Sequence, residues 1–593
     1  MEKDIKKYIK EALTTLYSVD VHDFNVQVEK TKDGIEGNYT IVVFPFVKFS
    51  KKKPLETAKD LGVYIKSRCE DIASYNVVGG FLNLSMSQEY WINRLNELSS
   101  GKKSNTSENK KSSIMIEFSS PNTNKPLHLG HVRNNLLGDS ISRILEKNGN
   151  NIIKVNLIND RGIHICKSML AWMKWGNGAT PESTGIKGDK FVGDYYVLFE
   201  KKYREEIKEL MDKGINEDEA KNKAPVILEA REILRKWEAG DLEIRKVWET
   251  MNSWVYAGFD ITYKSLNISF DKLYYESQTY LLGRDIVNKG LEKGIFVKDA
   301  DGSVWIDLTD EGLDRKILLR SDGTTVYITQ DIGTAYQRFE EFYPDKLIYV
   351  VGNEQDYHFK VLKNILQKLN KDYSERIEHL SYGMVELPEG KMKSREGIVV
   401  DADDLIDEMT ITARNIAKEN GRVNELPEEE KEAAIKKIAL GALKYYILKV
   451  DPKKQMIFNP KESIDFNGNT GPFIQYTYAR ICSVLRNAEK MKIKFNGKVS
   501  AETDLVDLEI DLVSILSDFE NIIADAANKL NPGIIANYIY DLVKLYNQYY
   551  HEHTILKEQD IKTLQFRLLL SLQVSETIKQ GMYLLGIEVP EVM

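Results

Sequence analysis

Apolar residues change their spacing several times along this chain, and each change marks a candidate element. They recur at helical intervals to about residue 17, gather in strand-like runs near 24–28 and 39–47, and return to helical spacing over 54–69. Gly79-Gly80, set between two short apolar runs, reads as a hairpin turn. Together these signals predict an α+β domain over residues 1–98. The following stretch, 99–113, is SSGKKSNTSENKKSS; it has almost nothing to bury and reads as a linker.

From residue 114 strands and helices alternate. Strands are predicted at 114–118 and 152–158, each followed by a helix, at 129–148 and 162–175. The alternation resumes with strands at 303–307, 325–329, 346–351 and 379–384, and helices at 331–342 and 357–369. Such an order predicts a Rossmann-like parallel sheet over 114–402, with ligands beyond the carboxyl ends of its strands. Residues 176–275 interrupt it with a charged helical segment, including YREEIKELMDKGINEDEAKNK, which reads as a solvated insertion. After residue 403 strand signals fade. A helical connecting segment to 460 leads into an all-α domain over 461–593, with helices at 435–449, 471–490, 507–529, 532–551 and 564–585. Asn531 before Pro532 is placed as an N-cap with proline in the first turn. The predicted fold is therefore multidomain α/β, with an α+β domain before the parallel-sheet core and helices after it.

Composition narrows the function. A chain of 593 residues exceeds one ordinary core, and 42% hydrophobic with 29% charged residues suits a folded protein. No run approaches the ~18 apolar residues of a spanning helix, so no membrane partner is expected. The net charge of −8 excludes an overall basic field, so a nucleic acid would have to be held by local patches. Cys69, Cys166 and Cys482 include no CxxC pair, which argues against both a disulfide framework and a thiolate zinc site. The charged, amphipathic start, MEKDIKKYIKEAL, lacks the apolar centre of a signal peptide, and the cytoplasm is the expected location.

The chemistry concentrates in two places. His128-Leu129-Gly130-His131 directly follows a strand-like run and opens a helix-like one, where backbone N–H groups and the helix dipole attract phosphate. HxxH on a helix also fits a metal pair, but no HExxH-type third ligand lies near, and no dedicated protein metal site is expected. Far downstream, Lys391, Met392, Lys393, Ser394 and Arg395 form a basic loop suited to phosphates. Tyr327 and Asp331, four positions apart across an expected strand end and helix start, could turn one ring and one carboxylate into a common pocket.

His128 to His131 resembles the HIGH signature, and Lys391 to Arg395 the KMSKS loop, of class I aminoacyl-tRNA synthetases. The phrases EFSSPNTNKPLHLGHVRNN and DFNGNTGPFIQYTYARICSVLRN resemble the arginyl-tRNA synthetase family, and the likeness runs essentially end to end. It implies attachment of L-arginine to tRNA(Arg) through an arginyl adenylate made with ATP and Mg2+. ATP would meet His128, Leu129, Gly130 and His131, together with the loop residues Lys391, Met392, Lys393, Ser394 and Arg395. Arginine would meet Glu117, Ser120, Asn122, His131, Tyr327, Asp331 and Gln355, with Asp160 near the pocket; the family more often has glutamine where His164 stands. The loop departs from the signature, since Ser394 stands where the second lysine belongs and that lysine moves to Lys393. Lys125, three residues before His128, is placed to supply the missing charge, so His128, His131, Lys125, Lys391 and Lys393 form the expected catalytic set.

The same resemblance makes the carboxyl-terminal helices the anticodon-binding domain, with Tyr476, Arg480, Arg486, Tyr546 and Met593 as RNA contacts, and a monomer as the expected state. Residues 1–98 would contact the tRNA elbow. Three alternatives remain at this level: another class I synthetase, a nucleotidylyltransferase sharing HxGH, and a non-catalytic tRNA-binding paralogue.

Overall fold

Five short strands pair in parallel at the centre of the computed structural model, in the order Ile377–Tyr382, Lys346–Gly352, Ser113–Glu117, Asn151–Ile158 and Lys272–Tyr275. The structure describes the chain except at residues 1, 20–24, 33, 102–110, 387, 389–399, 421–424 and 494–497. It divides into two compact units: Met1–Asn105 with Ile481–Phe519 and Leu542–Thr577, and Thr106–Arg480 with Glu520–Asp541 and Ile578–Met593.

The parallel sheet belongs to the second unit. Ile116, Val155 and Leu347 are wholly buried in it, as expected of strands covered on both faces. Helices Tyr327–Phe342 and Asp356–Leu369 pack Ile332, Phe339, Leu362 and Ile365 into the same core. In sequence order the central strand Ser113–Glu117 leads through a polar turn into helix Leu129–Lys147, which returns the chain to the next strand. All five strands thus deliver their carboxyl ends to one side.

Three local expectations fail here. Residues 325–329 are not a strand: helix Tyr327–Phe342 starts inside them, and the strand lies earlier, at Lys316–Leu319. Gly283 and Gly333 explain why. A Cβ on Gly333 would stand 2.5 Å from the backbone of Gly283, so helix Leu282–Glu292 lies directly against this one and fixes its start. The strand expected at 303–307, found as Val304–Ile306, joins a separate three-stranded antiparallel sheet with Val297–Lys298 and Lys316–Leu319. Finally, the charged insertion is not merely solvated. It ends in the edge strand Lys272–Tyr275, and its helix Leu242–Ser265 buries Val255, Phe259 and Tyr263.

In the first unit, helix Glu2–Tyr17 and helix Pro54–Arg68 lie with a four-stranded antiparallel sheet in the order Val28–Lys30, Tyr39–Val42, Phe81–Met86, Ile72–Val78. The Gly79-Gly80 hairpin forms, with Gly79 at φ +62°. The run expected at 39–47 stops at Val42, because Pro45 cannot donate to a ladder and the chain turns through Phe44–Phe46 instead. Residue 24 of the other expected strand lies outside the described residues, and that strand is seen as Val28–Lys30. Within this unit Arg94 donates to Ser517 Oγ at 3.1 Å, and Asn96 exchanges two hydrogen bonds with the backbone of Val499. The helix expected over 507–529 is broken at Asp518 into Asp507–Ser517 and Phe519–Lys529. Asn531 caps as expected, accepting from Gly533 N–H at 2.9 Å.

Candidate active site

The turn after the central strand is strained and heavily braced. Ser119 and Ser120 have φ of +78° and +44°, a region that costs non-glycine residues about 1–3 kcal/mol each. Asn134 accepts from Ser119 N–H at 2.5 Å and Asn156 accepts from Ser120 N–H at 3.0 Å. Tyr263 lies 2.7 Å from the Ser119 hydroxyl and accepts from Asn156 at 3.2 Å. One helix residue, one neighbouring strand residue and one insertion residue therefore hold the loop in a shape it would not keep alone. The exposed Asn122 and buried Thr123 continue beside Asn159 of the next strand's end.

His128 is the N-cap of helix Leu129–Lys147 and His131 its third residue, and the two cap reciprocally. His128 Nδ1 accepts from Gly130 N–H at 3.1 Å, and His131 Nδ1 accepts from His128 N–H at 3.2 Å. With both Nδ1 atoms accepting, each ring carries its proton on Nε2. Burial, with Lys125 close by, pushes His128 down to about 3, and burial, with His128 and Lys125 alongside, holds His131 well below the usual imidazole range. At pH 7 the pair is two neutral N–H donors at a helix start. Gly130 leaves room for this arrangement: a Cβ there would come within 2.9 Å of the His128 ring.

Lys125 completes this end. Burial lowers its ammonium below the ordinary lysine range, and among the described residues no carboxylate forms an ion pair with it. A partly buried cation without a counterion, beside two N–H donors, is a site for an anion. Helix Gly188–Asp212 can press on this turn because Gly193 has no side chain: a Cβ would meet Pro126 at 2.9 Å. Lys391, Met392, Lys393, Ser394 and Arg395 lie outside the described residues. The flanks of that stretch are anchored. Val385–Glu386 pairs with Met456–Ile457, while Leu129 N–H donates to Val400 O and Ala402 N–H to Leu127 O. Lys187 secures the downstream side, bonding Asp189, Thr262 and Asp403.

Carboxylates gather at the strand ends. Glu117 ends the central strand, buried at 6% exposure; it is ion-paired with Arg338 and accepts from Ser120 Oγ at 3.2 Å. Burial pushes its carboxyl up, while Arg338, itself over the rings of Tyr274 and Tyr349, opposes the shift. Asp331 sits in the second turn of its helix, 2.6 Å from His358 Nε2. Glu276, directly after strand Lys272–Tyr275, is pushed up to about 7 by burial, with Arg161 pulling the other way and Asp160 and Asp331 adding to the rise. These groups feel one another electrostatically and so form one acidic cluster rather than isolated surface charges.

Tyr327, 78% exposed, and Gln355, exposed in the one-turn helix after Lys346–Gly352, stand at the open rim. Asp160 is fully engaged by the protein: its carboxylate accepts from Tyr256, from Ser277 N–H and from Ser277 Oγ, and its carbonyl from Trp248. His164 lies 3.2 Å from Tyr196. In the carboxyl-terminal helices Tyr476 is 42% exposed, with Arg480 4.9 Å above its ring, and Arg486 is half-buried. Tyr546 is wholly buried, donating to Ser571, and Met593 is also buried, so neither presents a surface to a base. Glu276, Arg338 and His358 were not singled out by sequence. A carboxylate closing the run Leu273-Tyr274-Tyr275 was the available signal for Glu276.

Among the described residues no helix is long and apolar enough to cross a membrane, and no group of three His, Cys, Asp or Glu side chains could hold a metal ion.

Comparison with known proteins adds to this geometry. The family model described as tRNA synthetases class I (R), catalytic domain, matches residues 94–459. The arginyl tRNA synthetase N terminal domain matches 3–86, and the DALR anticodon binding domain 474–593. The curated arginine–tRNA ligase of Bacteroides thetaiotaomicron is 55% identical over 583 residues, 98% of each chain. That of Parabacteroides distasonis is 55% identical over 595 residues, 100% of each chain. The solved arginyl-tRNA synthetase of Thermus thermophilus matches 100% of both chains with a TM-score of 0.78 at 26% identity.

Proposed function

The chain belongs to the class I arginyl-tRNA synthetases, and from that premise we infer that it attaches L-arginine to tRNA(Arg) in two steps. The arginine carboxylate attacks the α-phosphorus of ATP, breaking the bond to the β-phosphate; arginyl adenylate forms and diphosphate leaves. A hydroxyl of the terminal tRNA adenosine then attacks the adenylate carbonyl, and AMP leaves. The carboxylate is ionised at neutral pH, so the first step needs no general base, and its catalysis rests on orientation and charge stabilisation.

One observation supports this reading above the others: the site separates its charges. At the helix start stand the Nε2–H groups of His128 and His131 and the Lys125 ammonium, which pairs with no carboxylate among the described residues, fit for phosphate. At the strand ends stand Glu117 and Glu276, with Asp331 on helix Tyr327–Phe342, fit for a guanidinium. An amino acid with a cationic side chain, its carboxylate turned toward a nucleotide phosphate, matches both ends at once. In this reading Ser120 and Asn122 hold the amino acid backbone, Tyr327 and Gln355 close on the ligand at the rim, and Leu129 and Gly130 present backbone to ATP. Asp160 contributes its charge and fixes Ser277 beside Glu276. Lys391 and Lys393, with Met392, Ser394 and Arg395, would clamp the diphosphate, and Mg2+ held by the ATP phosphates would supply further positive charge. Tyr476, Arg480 and Arg486 contact tRNA. One chain carries all the named groups, so a monomer suffices, and its substrates put it in the cytoplasm.

ATP–diphosphate exchange and tRNA charging, run with each amino acid with and without tRNA, test the assignment. Arginine alone should support both; a response to another amino acid overturns it.

A further inference from the structure

Asp331 is already tied on one side. Its Oδ2 lies 2.6 Å from Nε2 of His358, which belongs to another element, the first turn of helix Asp356–Leu369. Among the described residues its Oδ1 takes no hydrogen bond. An aspartate's terminal torsion is soft, so a carboxylate bonded nowhere sweeps its two oxygens through a wide arc. One whose rear oxygen is held by a ring N–H keeps its plane and offers a single fixed acceptor. Glu117 is held still more fully, with Arg338 at Oε2 and Ser120 at Oε1, so its carboxylate plane is also fixed. Fixed acceptors are what a planar guanidinium rewards, because its N–H groups lie in a rigid fork.

We propose that His358 is a positioning residue for arginine recognition, its Nε2–H holding Asp331 Oδ2 so that Oδ1 meets the substrate guanidinium. The inference rests on the reading of Asp331 as a guanidinium ligand. His358 touches neither substrate: it acts through Asp331, and its removal should weaken arginine binding while sparing ATP. A merely structural link between the two helices would lower the melting temperature and leave the arginine KM alone.

The experiment measures kcat and the KM values for L-arginine and ATP in tRNA charging, for H358A, H358Q, D331N and the H358A/D331N pair, with thermal melting of each. D331N should raise the arginine KM by about two orders of magnitude, the scale of a lost charge-assisted bond. H358A should raise it about tenfold, with kcat and the ATP KM within about twofold of the parent. H358Q, which keeps an N–H donor within reach, should recover most of the loss, and the double variant should match D331N alone. If H358A melts below the assay temperature, H358L, which keeps the bulk without a donor, replaces it. The proposal is overturned if D331N raises the arginine KM while H358A does not, if H358A changes kcat or the ATP KM as much as the arginine KM, or if the two substitutions add. An unchanged arginine KM in D331N removes the underlying reading of Asp331 and the proposal with it.

Discussion

Glu276 sits where burial opposes its charge, where Arg161 only partly offsets that burial, and where Asp160 and Asp331 oppose it further; the result is a carboxyl pushed up to about 7. An arriving guanidinium favours the ionised form, so arginine binding expels a proton wherever that carboxyl is still protonated. Above pH 7 the group is ionised before arginine arrives and the KM is flat. Below it a growing share of molecules must first lose a proton. Between pH 8 and pH 6 the arginine KM should rise roughly tenfold, the inverse of the competent fraction. E276Q, which cannot ionise, should bind arginine more weakly at pH 8 and flatten the dependence. A parent enzyme with the same arginine KM at both pH values would contradict this account.

The unit of strand, turn and helix from Ser113 to Lys147 was legible in the sequence because its signals agree: a continuous apolar run, then Pro, Asn and Ser punctuation, then helical spacing behind a capping histidine. The helices beyond residue 403 were legible for the same reason, apart from the break at Asp518 and the short strand Met456–Ile457, whose partner lies far back in the chain. Local signals misled where tertiary contact decides. Thr325, Val326, Ile328 and Thr329 are β-branched and read as strand, yet helix packing at Gly283 and Gly333 starts a helix at Tyr327. Strand Lys272–Tyr275 was hidden by the charged helices before it, and Glu276 was hidden with it. The pairings Glu117–Arg338 and Asp331–His358 join separate elements, and no spacing rule announces them. The turn itself allows a test. It presents Lys125 beside two neutral histidines, so Lys125 is the fixed positive charge next to the helix start. Lys125→Ala should lower the rate of adenylate formation by roughly 10² to 10³, the scale of losing one charge-stabilising group. Lys125→Arg should restore part of it. Near-normal diphosphate exchange by the alanine variant would remove Lys125 from the mechanism.

At the scale of the whole molecule a polyanion must bind a chain whose net charge is −8. The average field repels tRNA, so association is expected to depend on a small number of cations placed where the RNA lies, and in the proposed reading Arg480 above the exposed ring of Tyr476 is one such pairing of cation and stacking surface. Within the larger unit the carboxyl-terminal segment is tied to the catalytic core. Ser140, on the helix that His128 caps, donates to Leu584 O, and the buried Lys444 donates to Leu266 O and Gly586 O. Gln475 bonds both Lys437 O and Glu588 O, which fixes the start of the helix bearing Tyr476 and Arg480. A few rigidly mounted cations against a repulsive background produce affinity that salt removes quickly. If roughly four phosphates are neutralised, raising salt from about 50 to about 200 mM should weaken tRNA binding about fiftyfold. Arg480→Ala should reduce the slope of log affinity against log salt by about one phosphate's share while leaving the arginine KM in place. Filter binding across that range is the measurement. An affinity that changes less than about threefold would mean that recognition rests on stacking and shape rather than on these charges.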